Sequence, residues 1–199
     1  MIVLRKFILL FFAAILMCSC SRRPQGQLLE VTPTGEGSKA VAVLWIDGEK
    51  VFTTDCFIGR DGTGKTREGD MKTPSDTMHI LGAFGILPNP GTSMPYIDVT
   101  PSIFACGDRE YYNLVIDTAE LHHPNCNGED MYHIRPHYNY GLITDYNRER
   151  VYMKGGAIFI HCKGTNPYTA GCVALDEDKM RELLVRCDTT LRVFVHSLD

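Results

Sequence analysis

Two side chains towards the C-terminal end of the chain could together perform nucleophilic catalysis. His161 ends an apolar segment, and Cys172 follows Gly171 a short distance further on. A thiol becomes an effective nucleophile when a neighbouring base takes its proton and a tight turn places it beside backbone N–H donors. The same donors can stabilise the oxyanion that forms when the thiol attacks a carbonyl group. We therefore predict Cys172 as the nucleophile, His161 as the proton donor and acceptor, and Gly171 as part of the oxyanion region.

A helix is predicted directly after this cysteine. Asp176 can cap its N-terminus, and the acidic residues that follow suit the positive end of the helix dipole. Apolar residues then recur at the spacing of one helix face: Met180, Leu183, Leu184 and Cys187. We expect this face to pack on a sheet, with Cys187 in the core.

Short apolar segments, bounded by Gly, Pro, Asn or Asp, occupy much of the chain before this helix. Residues 41–46 and 50–58 flank Asp47-Gly48, which is a strong two-residue hairpin signal. Six further segments have a similar aromatic or β-branched character: residues 78–86, 96–103, 111–116, 138–146, 156–162 and 191–196. The pattern predicts a mainly β domain, sandwich-like or barrel-like, with one clear helix.

The first twenty residues have the features of an export signal. Arg5 and Lys6 precede an apolar run over residues 7–17, which is too short to span a bilayer of roughly 30 Å. Ser19-Cys20 at the end of the run resembles the site at which bacterial lipoproteins are cleaved and lipidated. We predict lipidation at Cys20, and secretion with cleavage nearby is the alternative.

The predicted organisation follows from this signal. Residues 21–38 are polar and rich in Gly, Pro and Thr, which favours a tether. We predict a lipoprotein signal peptide (1–19), a flexible tether (20–38) and a catalytic domain (39–199). The protein is then expected in the cell envelope, held by its lipid at a membrane surface. The formal net charge of −4 gives no basic surface for nucleic acid.

A glycine-rich segment over residues 59–66 satisfies the phosphate-loop pattern GxxxxGK[ST]. A phosphate-binding loop requires a helix to begin near Lys65-Thr66, whereas Gly69 and Pro74 oppose a helix. We therefore predict no nucleotide partner, and interpret the segment as a surface loop or a loop near the active site. On this interpretation Lys65→Ala should leave activity largely unchanged.

Several potential zinc ligands crowd one region of the chain: His122, His123, Cys126, His133 and His137. Pro136 interrupts the last pair, and the sequence has no paired-cysteine knuckle, so we predict no zinc site. An exported protein can form disulfides, and Cys106 with Cys126 is the first candidate for a bridge.

Motifs around the predicted nucleophile and upstream of it point to one family. Thr169, Gly171 and Cys172 fit a [Ser/Thr]-His-Gly-Cys motif that a histidine, His161, precedes. Residues 66–74 look like a Lys-Arg-Glu-Gly-Asp-Gly-Lys-Thr-Pro loop. Three shorter stretches also match: Met94-Pro95-Tyr96, Tyr111-Tyr112-Asn113 and Tyr140-Gly141-Leu142. From about residue 39 to residue 196 the chain resembles the L,D-transpeptidase catalytic domain (YkuD) family, in the branch that carries this loop.

The resemblance implies a peptidoglycan-modifying cysteine enzyme with no metal or cofactor. Cys172 would attack a peptide carbonyl in a stem peptide, and the thioester would pass to an amine acceptor. Thr169 would orient His161 through its hydroxyl or its carbonyl group. Two alternatives stay open. One is a hydrolase on the same scaffold, acting as a carboxypeptidase, an endopeptidase or an enzyme that detaches proteins from the wall. The other is a non-catalytic lipoprotein that binds the cell wall.

Two positions depart from the family motif. Ala170 stands in place of the motif histidine, and Ala174 stands where many members have an arginine. The missing arginine removes a partner for a substrate carboxylate. Arg67, Arg135 and Lys163 are the candidate replacements.

Overall fold

The computed structural model describes residues 24–122 and 126–198. The predicted signal peptide and Cys20 lie outside these ranges, as does His123. The strands in the described ranges are β1 Gln27–Pro33, β2 Lys39–Ile46, β3 Glu49–Phe57, β4 Thr77–Gly85, β5 Tyr96–Asp98, β6 Ile103–Cys106, β7 Leu114–Asp117, β8 Gly128–Asp130, β9 Gly141–Thr144, β10 Phe159–Cys162, β11 Val173–Leu175 and β12 Arg192–Val195. One α-helix, α1 (Glu177–Arg186), and two short 3-10 turns (Met131–His133 and His137–Asn139) complete the described elements.

Most of the strands belong to one sheet that closes on itself. Its order is β12-β1-β2-β3-β11-β10-β9-β4-β5, and β12 also pairs with β4. A small second sheet has the order β7-β6-β8. The prediction of a mainly β, barrel-like domain with one helix is therefore confirmed. No helix among the described residues is long and apolar enough to cross a membrane.

The N-terminal boundary of the domain differs from the prediction. Residues 27–33, assigned to the tether, form β1, which runs parallel to β12 and antiparallel to β2. Leu29 and Val31 on this strand are fully buried in the barrel. Two inward-facing residues are enough to fix a strand that is paired on both sides, although Gly, Pro and Thr around them hide the alternation. The tether prediction is therefore wrong for these seven residues.

The strongest local signals were interpreted correctly. β2 and β3 form the predicted hairpin, with Asp47 and Gly48 both at positive φ, as a tight two-residue turn requires. The helix begins after Asp176, and Cys187 is buried as expected. Strands β8 and β11 were not predicted, because three-residue strands carry too few positions to show a pattern.

The interior contains two hydrophobic clusters. The larger fills the barrel and includes the buried face of α1. The smaller contains Phe84, Met131, Tyr138 and Phe159, and Cys172 packs against it. Aromatic rings meet edge to face in this second cluster, with Phe84 5.3 Å from Tyr138 and 5.1 Å from Phe159 between centroids. It therefore provides a rigid base for the predicted nucleophile.

Candidate active site

Two neighbouring parallel strands bring the predicted nucleophile and base together. β10 carries His161, Cys172 directly precedes β11, and Ile160 is paired with Val173 across the two strands. His161 and Cys172 line one cavity of about 230 Å³. A more apolar cavity of about 220 Å³ lies behind the backbone at Phe159 and contacts neither of them. The first cavity is therefore the candidate active site.

His161 is buried and held in one orientation. Its Nδ1 lies 2.8 Å from the carbonyl oxygen of Cys162. Because a carbonyl oxygen only accepts hydrogen bonds, Nδ1 carries the proton and Nε2 is left with a free lone pair. Burial, reinforced by the neighbouring His137, lowers the pKa of His161 to about 4, although the bond to Cys162 opposes this shift. The ring is thus a neutral base at ordinary pH.

The thiol of Cys172 is held by backbone groups. Its Sγ accepts a hydrogen bond from the N–H of Phe159 at 3.3 Å and donates to the carbonyl of Ala157 at 3.2 Å. Burial raises the pKa of Cys172 to about 12, and the charge of Glu129 adds to this while Lys65 opposes it. The resting pair is therefore a neutral thiol beside a neutral imidazole, with the thiol proton directed at Ala157.

Thr169 fixes the backbone at the nucleophile. Its hydroxyl donates to the carbonyl of Cys172 at 2.7 Å, and the hydroxyl of Thr73 lies 3.4 Å from the same oxygen. The expected contact between Thr169 and His161 is not made in this structure. The carbonyl of Cys162, in place of Thr169, accepts the hydrogen bond from His161 Nδ1. Thr169 instead holds the turn that carries the thiol.

Gly171 occupies a position that only glycine fits. Its φ is +151°, and a Cβ there would lie 2.8 Å from the carbonyl oxygen of Lys72. Its N–H already donates to the Thr169 hydroxyl at 3.1 Å. The close approach of Lys72 joins the nucleophile turn to residues 59–74, which we call the loop wall because Met71 from this segment lines the cavity.

A buried ion pair organises the loop wall. Lys65 Nζ lies 2.9 Å from the carboxylate of Asp70, and their side chains are only 2% and 7% exposed. Asp70 also accepts backbone N–H groups of Thr66, Arg67 and Lys72. Burial opposes ionisation of Asp70, but Lys65 and these donors outweigh it and hold the pKa of the carboxyl below its usual range. No helix begins at Lys65-Thr66, as predicted.

The loop wall also positions the acceptor of the thiol proton. The carboxylate of Glu68 accepts hydrogen bonds from the N–H of Gly156, at 3.1 Å, and from the hydroxyl of Tyr112. The side-chain oxygen of Asn113 accepts a hydrogen bond from the N–H of Ala157 at 2.8 Å. These bonds fix the backbone that presents the Ala157 carbonyl to Cys172.

Another part of the cavity lining comes from residues 128–139, which we call the open wall. Its cavity-lining residues are Glu129, Ile134, His137 and Tyr138. The hydroxyl of Tyr138 donates to Glu129, and the rings of Tyr138 and His137 each lie 5.7 Å from the ring of His161. Buried side-chain polar atoms without a hydrogen-bond partner occur in the described chain only on this wall: Asp130 Oδ1, His137 Nδ1 and Asn139 Oδ1.

The three predicted substrate-binding cations do not line this cavity. Arg67 is exposed, and Arg135 stacks over the Tyr132 ring at 5.7 Å. Lys163 pairs with Asp176 at 3.0 Å and borders a different cavity. The structure brings none of them to Cys172, so the missing arginine of the motif is not replaced by these side chains.

The suspected zinc ligands are dispersed. His133 is exposed and contacts Asp130 at 2.9 Å, whereas His137 lies beside His161. Within the described ranges, one group has three possible metal ligands within 4.8 Å of one another: Cys106, Asp108 and Cys126. Cys106 and Cys126 are free thiols here, so the candidate bridge is not formed in this structure.

Sequence reasoning missed Glu129 and Tyr138 as residues of the site. His137 had been noticed, but only as a possible zinc ligand. Glu129 lies in a three-residue strand, and Tyr138 lies in a 3-10 turn within a segment predicted to be a strand. No local spacing relates them to Cys172, because tertiary packing alone brings them together.

Comparisons with known proteins identify the family of this chain. The sequence matches the L,D-transpeptidase catalytic domain family over residues 37–195. No curated protein matches it. Similar solved structures include the helical cell shape determining protein Pgp2 from Campylobacter jejuni (15% identity, TM-score 0.44, 87% of this chain and 49% of that chain). An Enterococcus faecium L,D-transpeptidase is also similar (13% identity, TM-score 0.44, 85% of this chain and 49% of that chain). So is Bdellovibrio bacteriovorus Bd1075 (13% identity, TM-score 0.45, 87% of this chain and 49% of that chain).

The present chain spans about half the length of these solved structures. The family match, in contrast, covers most of the chain and includes both His161 and Cys172. The chain belongs to the L,D-transpeptidase catalytic domain family.

Proposed function

We propose that this protein is an L,D-transpeptidase that acts on peptidoglycan stem peptides through a thioester at Cys172. The observation that carries the proposal is the single cavity lined by Cys172 and His161, with Nε2 of His161 unprotonated. A thiol and a fixed neutral imidazole are the two groups that acyl transfer through cysteine requires.

The first half of the reaction uses both groups. The thiol turns from the Ala157 carbonyl towards His161, whose Nε2 takes its proton. The thiolate attacks the carbonyl carbon at an L-centre of the donor stem, and the C–N bond to the terminal D-residue breaks. His161 returns its proton to the departing amine, which leaves a thioester on Cys172.

The oxyanion of this step needs backbone donors. The N–H of Gly171 is engaged by Thr169, so the N–H of Cys172 is the better candidate in this turn. Thr169 and Thr73 support that role by holding the Cys172 carbonyl, which restrains the turn from its C-terminal side. Thr169 is thus proposed as a residue that positions the turn.

The second half of the reaction passes the acyl group to an amine of another stem peptide. Water in place of the amine would make the enzyme a hydrolase. We propose that the acceptor binds along the open wall, where Glu129 and Tyr138 line the cavity with Cys172. We further propose that the chain is exported and attached to a membrane through lipid at Cys20.

Mass spectrometry of muropeptides tests the function. Purified disaccharide-tetrapeptides are incubated with the wild-type protein, with Cys172→Ala and with His161→Ala. We expect cross-links between the third residues of two stems for the wild type and no product for either variant. Cys126→Ser, which removes a half-buried thiol outside the cavity, is the matched control and should retain activity. Shortened stems without cross-links would contradict transfer, and substantial turnover by Cys172→Ala would contradict the nucleophile.

A further inference from the structure

We propose that Glu129 binds the ammonium group of the acceptor and thereby directs the thioester to an amine rather than to water. This inference rests on the proposed function, since it concerns the second half of that reaction. It adds a specificity-determining residue that neither the sequence motif nor the family match identifies.

The position of Glu129 is set by the small sheet. On β8 it is paired with Ala105 of β6, and Gly128 before it allows β8 to approach β6 closely, because a Cβ there would lie 2.2 Å from the Ala105 carbonyl oxygen. Glu129 then lines the same cavity as Cys172 and His161. Burial is the main cause of the raised pKa of Cys172, and the charge of Glu129 raises it further. A carboxylate is therefore held where an acceptor must approach the thioester.

Glu129 has no cationic partner among the residues that the structure describes. In the described part of the chain, one hydroxyl, that of Tyr138, donates to its carboxylate, and no lysine, arginine or histidine pairs with it. The ionisable groups that act on it are Tyr138 and Glu68, and those that line the same cavity also include Cys172, His161, His137 and Tyr168. Glu129 as a whole residue is exposed, but protein atoms packed around its carboxylate, and to a smaller extent the charge of Glu68, raise the pKa of this group. A ligand with an ammonium group would supply the missing counter-charge.

Glu68 provides an internal comparison. Glu68 is partly buried near Cys172, whereas Glu129 is exposed. Two donors, a backbone N–H and a tyrosine hydroxyl, bind the Glu68 carboxylate and give it a structural role. Glu129 has only one donor and faces the cavity. Nearby on the same wall, His137 Nδ1 is buried without a partner. The open wall therefore presents one carboxylate without a cationic partner to an incoming substrate.

The proton balance of transfer agrees with this role. The acceptor enters as an ammonium ion held by Glu129, passes a proton to His161 Nε2, and attacks the thioester carbonyl as a free amine. The new C–N bond forms as the C–S bond breaks. Of the two protons that the ammonium loses on becoming an amide, one passes through His161 to the Cys172 sulfur and the other goes to solvent.

The test measures how the acyl-enzyme divides between acceptors. Wild type, Glu129→Gln, Glu129→Asp and the exposed control Glu149→Gln are acylated with a disaccharide-tetrapeptide donor. Each then receives a stem peptide with a free side-chain amine, the same peptide acetylated on that amine, or hydroxylamine, which is uncharged at neutral pH. The ratio of transfer to hydrolysis is read by mass spectrometry and does not depend on how fast the acyl-enzyme forms.

We expect Glu129→Gln to lower the transfer ratio for the free-amine peptide by about tenfold to a hundredfold, as expected for the loss of one charge-assisted hydrogen bond. Transfer to hydroxylamine should be unchanged, and Glu129→Asp should restore part of the lost ratio. An unchanged ratio in Glu129→Gln, or an equal loss with hydroxylamine, would overturn the inference. Absence of any acyl-enzyme in the wild type would instead contradict the proposed function.

Discussion

The loop wall and the open wall line the same cavity, but their polar side chains differ in how completely they are hydrogen-bonded. On the loop wall, Asp70 has four donors, and Glu68 has two. On the open wall, the buried polar atoms without partners are concentrated within ten residues of one another. Natural proteins pair nearly all such atoms, so the unpaired Nδ1 of His137, beside the proposed base His161, is informative.

The difference separates two kinds of task. Thr73, Glu68 and the Lys65–Asp70 pair hold the backbone around Cys172, and their interactions are complete without a substrate. Glu129 and His137 contribute little to holding the backbone, and their interactions are incomplete until a ligand arrives. Substitutions on the loop wall should therefore reduce stability, whereas those on the open wall should change the choice of substrate.

The largest effect is expected from breaking the buried ion pair. Lys65→Met leaves the Asp70 carboxylate buried without its cation, which typically lowers the free energy of unfolding by about 3–5 kcal/mol. Urea denaturation measures this change. Lys163→Met, which breaks a more exposed pair with Asp176, is the control and should cost no more than about 1 kcal/mol. Equal losses in the two variants would contradict the structural role of the loop wall.

This expectation replaces the one drawn from the sequence. A lysine in a glycine-rich surface loop could be removed with little effect on activity. In the structure, however, Lys65 Nζ lies 3.4 Å from where a Cβ on Gly171 would be, and its charge favours ionisation of Cys172. Lys65→Ala should therefore reduce turnover as well as stability.

A pH-dependent effect is expected from His161, which lies between the two walls. Its pKa is lowered to about 4 in the folded protein, against about 6.5 in an unfolded chain. The unfolded state then binds more protons between these values, so the free energy of unfolding falls as the pH decreases from 6.5 to 4, by up to about 3 kcal/mol. Urea titrations across this range should show the slope in the wild type and not in His161→Gln. His79→Gln, at an exposed histidine, should retain it.

The same substitution on the two walls should give different results. Glu68→Gln weakens its bonds to Gly156 and Tyr112 and should lower the free energy of unfolding by about 1–3 kcal/mol. Glu129→Gln keeps an acceptor for the Tyr138 hydroxyl and removes a poorly solvated charge, so its effect should be below about 1 kcal/mol. Thermal denaturation of both variants at neutral pH compares them. A larger loss for Glu129→Gln than for Glu68→Gln would mean that the open wall contributes more to stability than the loop wall.

The smallest effect is expected from His137→Phe. Replacing a ring whose Nδ1 is unpaired by an apolar ring should change the free energy of unfolding by less than about 1 kcal/mol. Denaturation gives the stability, and the KM for the acceptor peptide gives the function. We expect KM to change while stability does not. Marked destabilisation would show that His137 belongs with the structural residues.

Much of the fold could be predicted because its signals are local. The hairpin at Asp47-Gly48, the helix after Asp176 and the apolar strand before His161 each follow from neighbouring residues. Strand β1 was missed because its burial depends on β12 at the other end of the chain. Local sequence contains no information on such a pairing.

The site could be predicted only in part for the same reason. Cys172 and His161 were found through motif and spacing, and the structure places them in one cavity. Thr169 was identified, but its hydroxyl contacts Cys172 and not His161. Glu129 was not identified, since only the small sheet formed by β6, β7 and β8 brings it to the thiol. Residues that reach a site through long-range strand pairing can be identified only from the three-dimensional structure.

The central claim is that Cys172 forms a thioester with a stem peptide and that His161 makes this possible. Intact-protein mass spectrometry after a brief incubation with disaccharide-tetrapeptide measures it directly. The account predicts an adduct equal to the donor less its terminal D-residue on the wild type, removed by hydroxylamine. Cys172→Ala should carry no adduct, and His161→Gln should carry almost none. An unmodified wild-type protein that nevertheless converts the substrate, or an adduct that persists on Cys172→Ala, would contradict it.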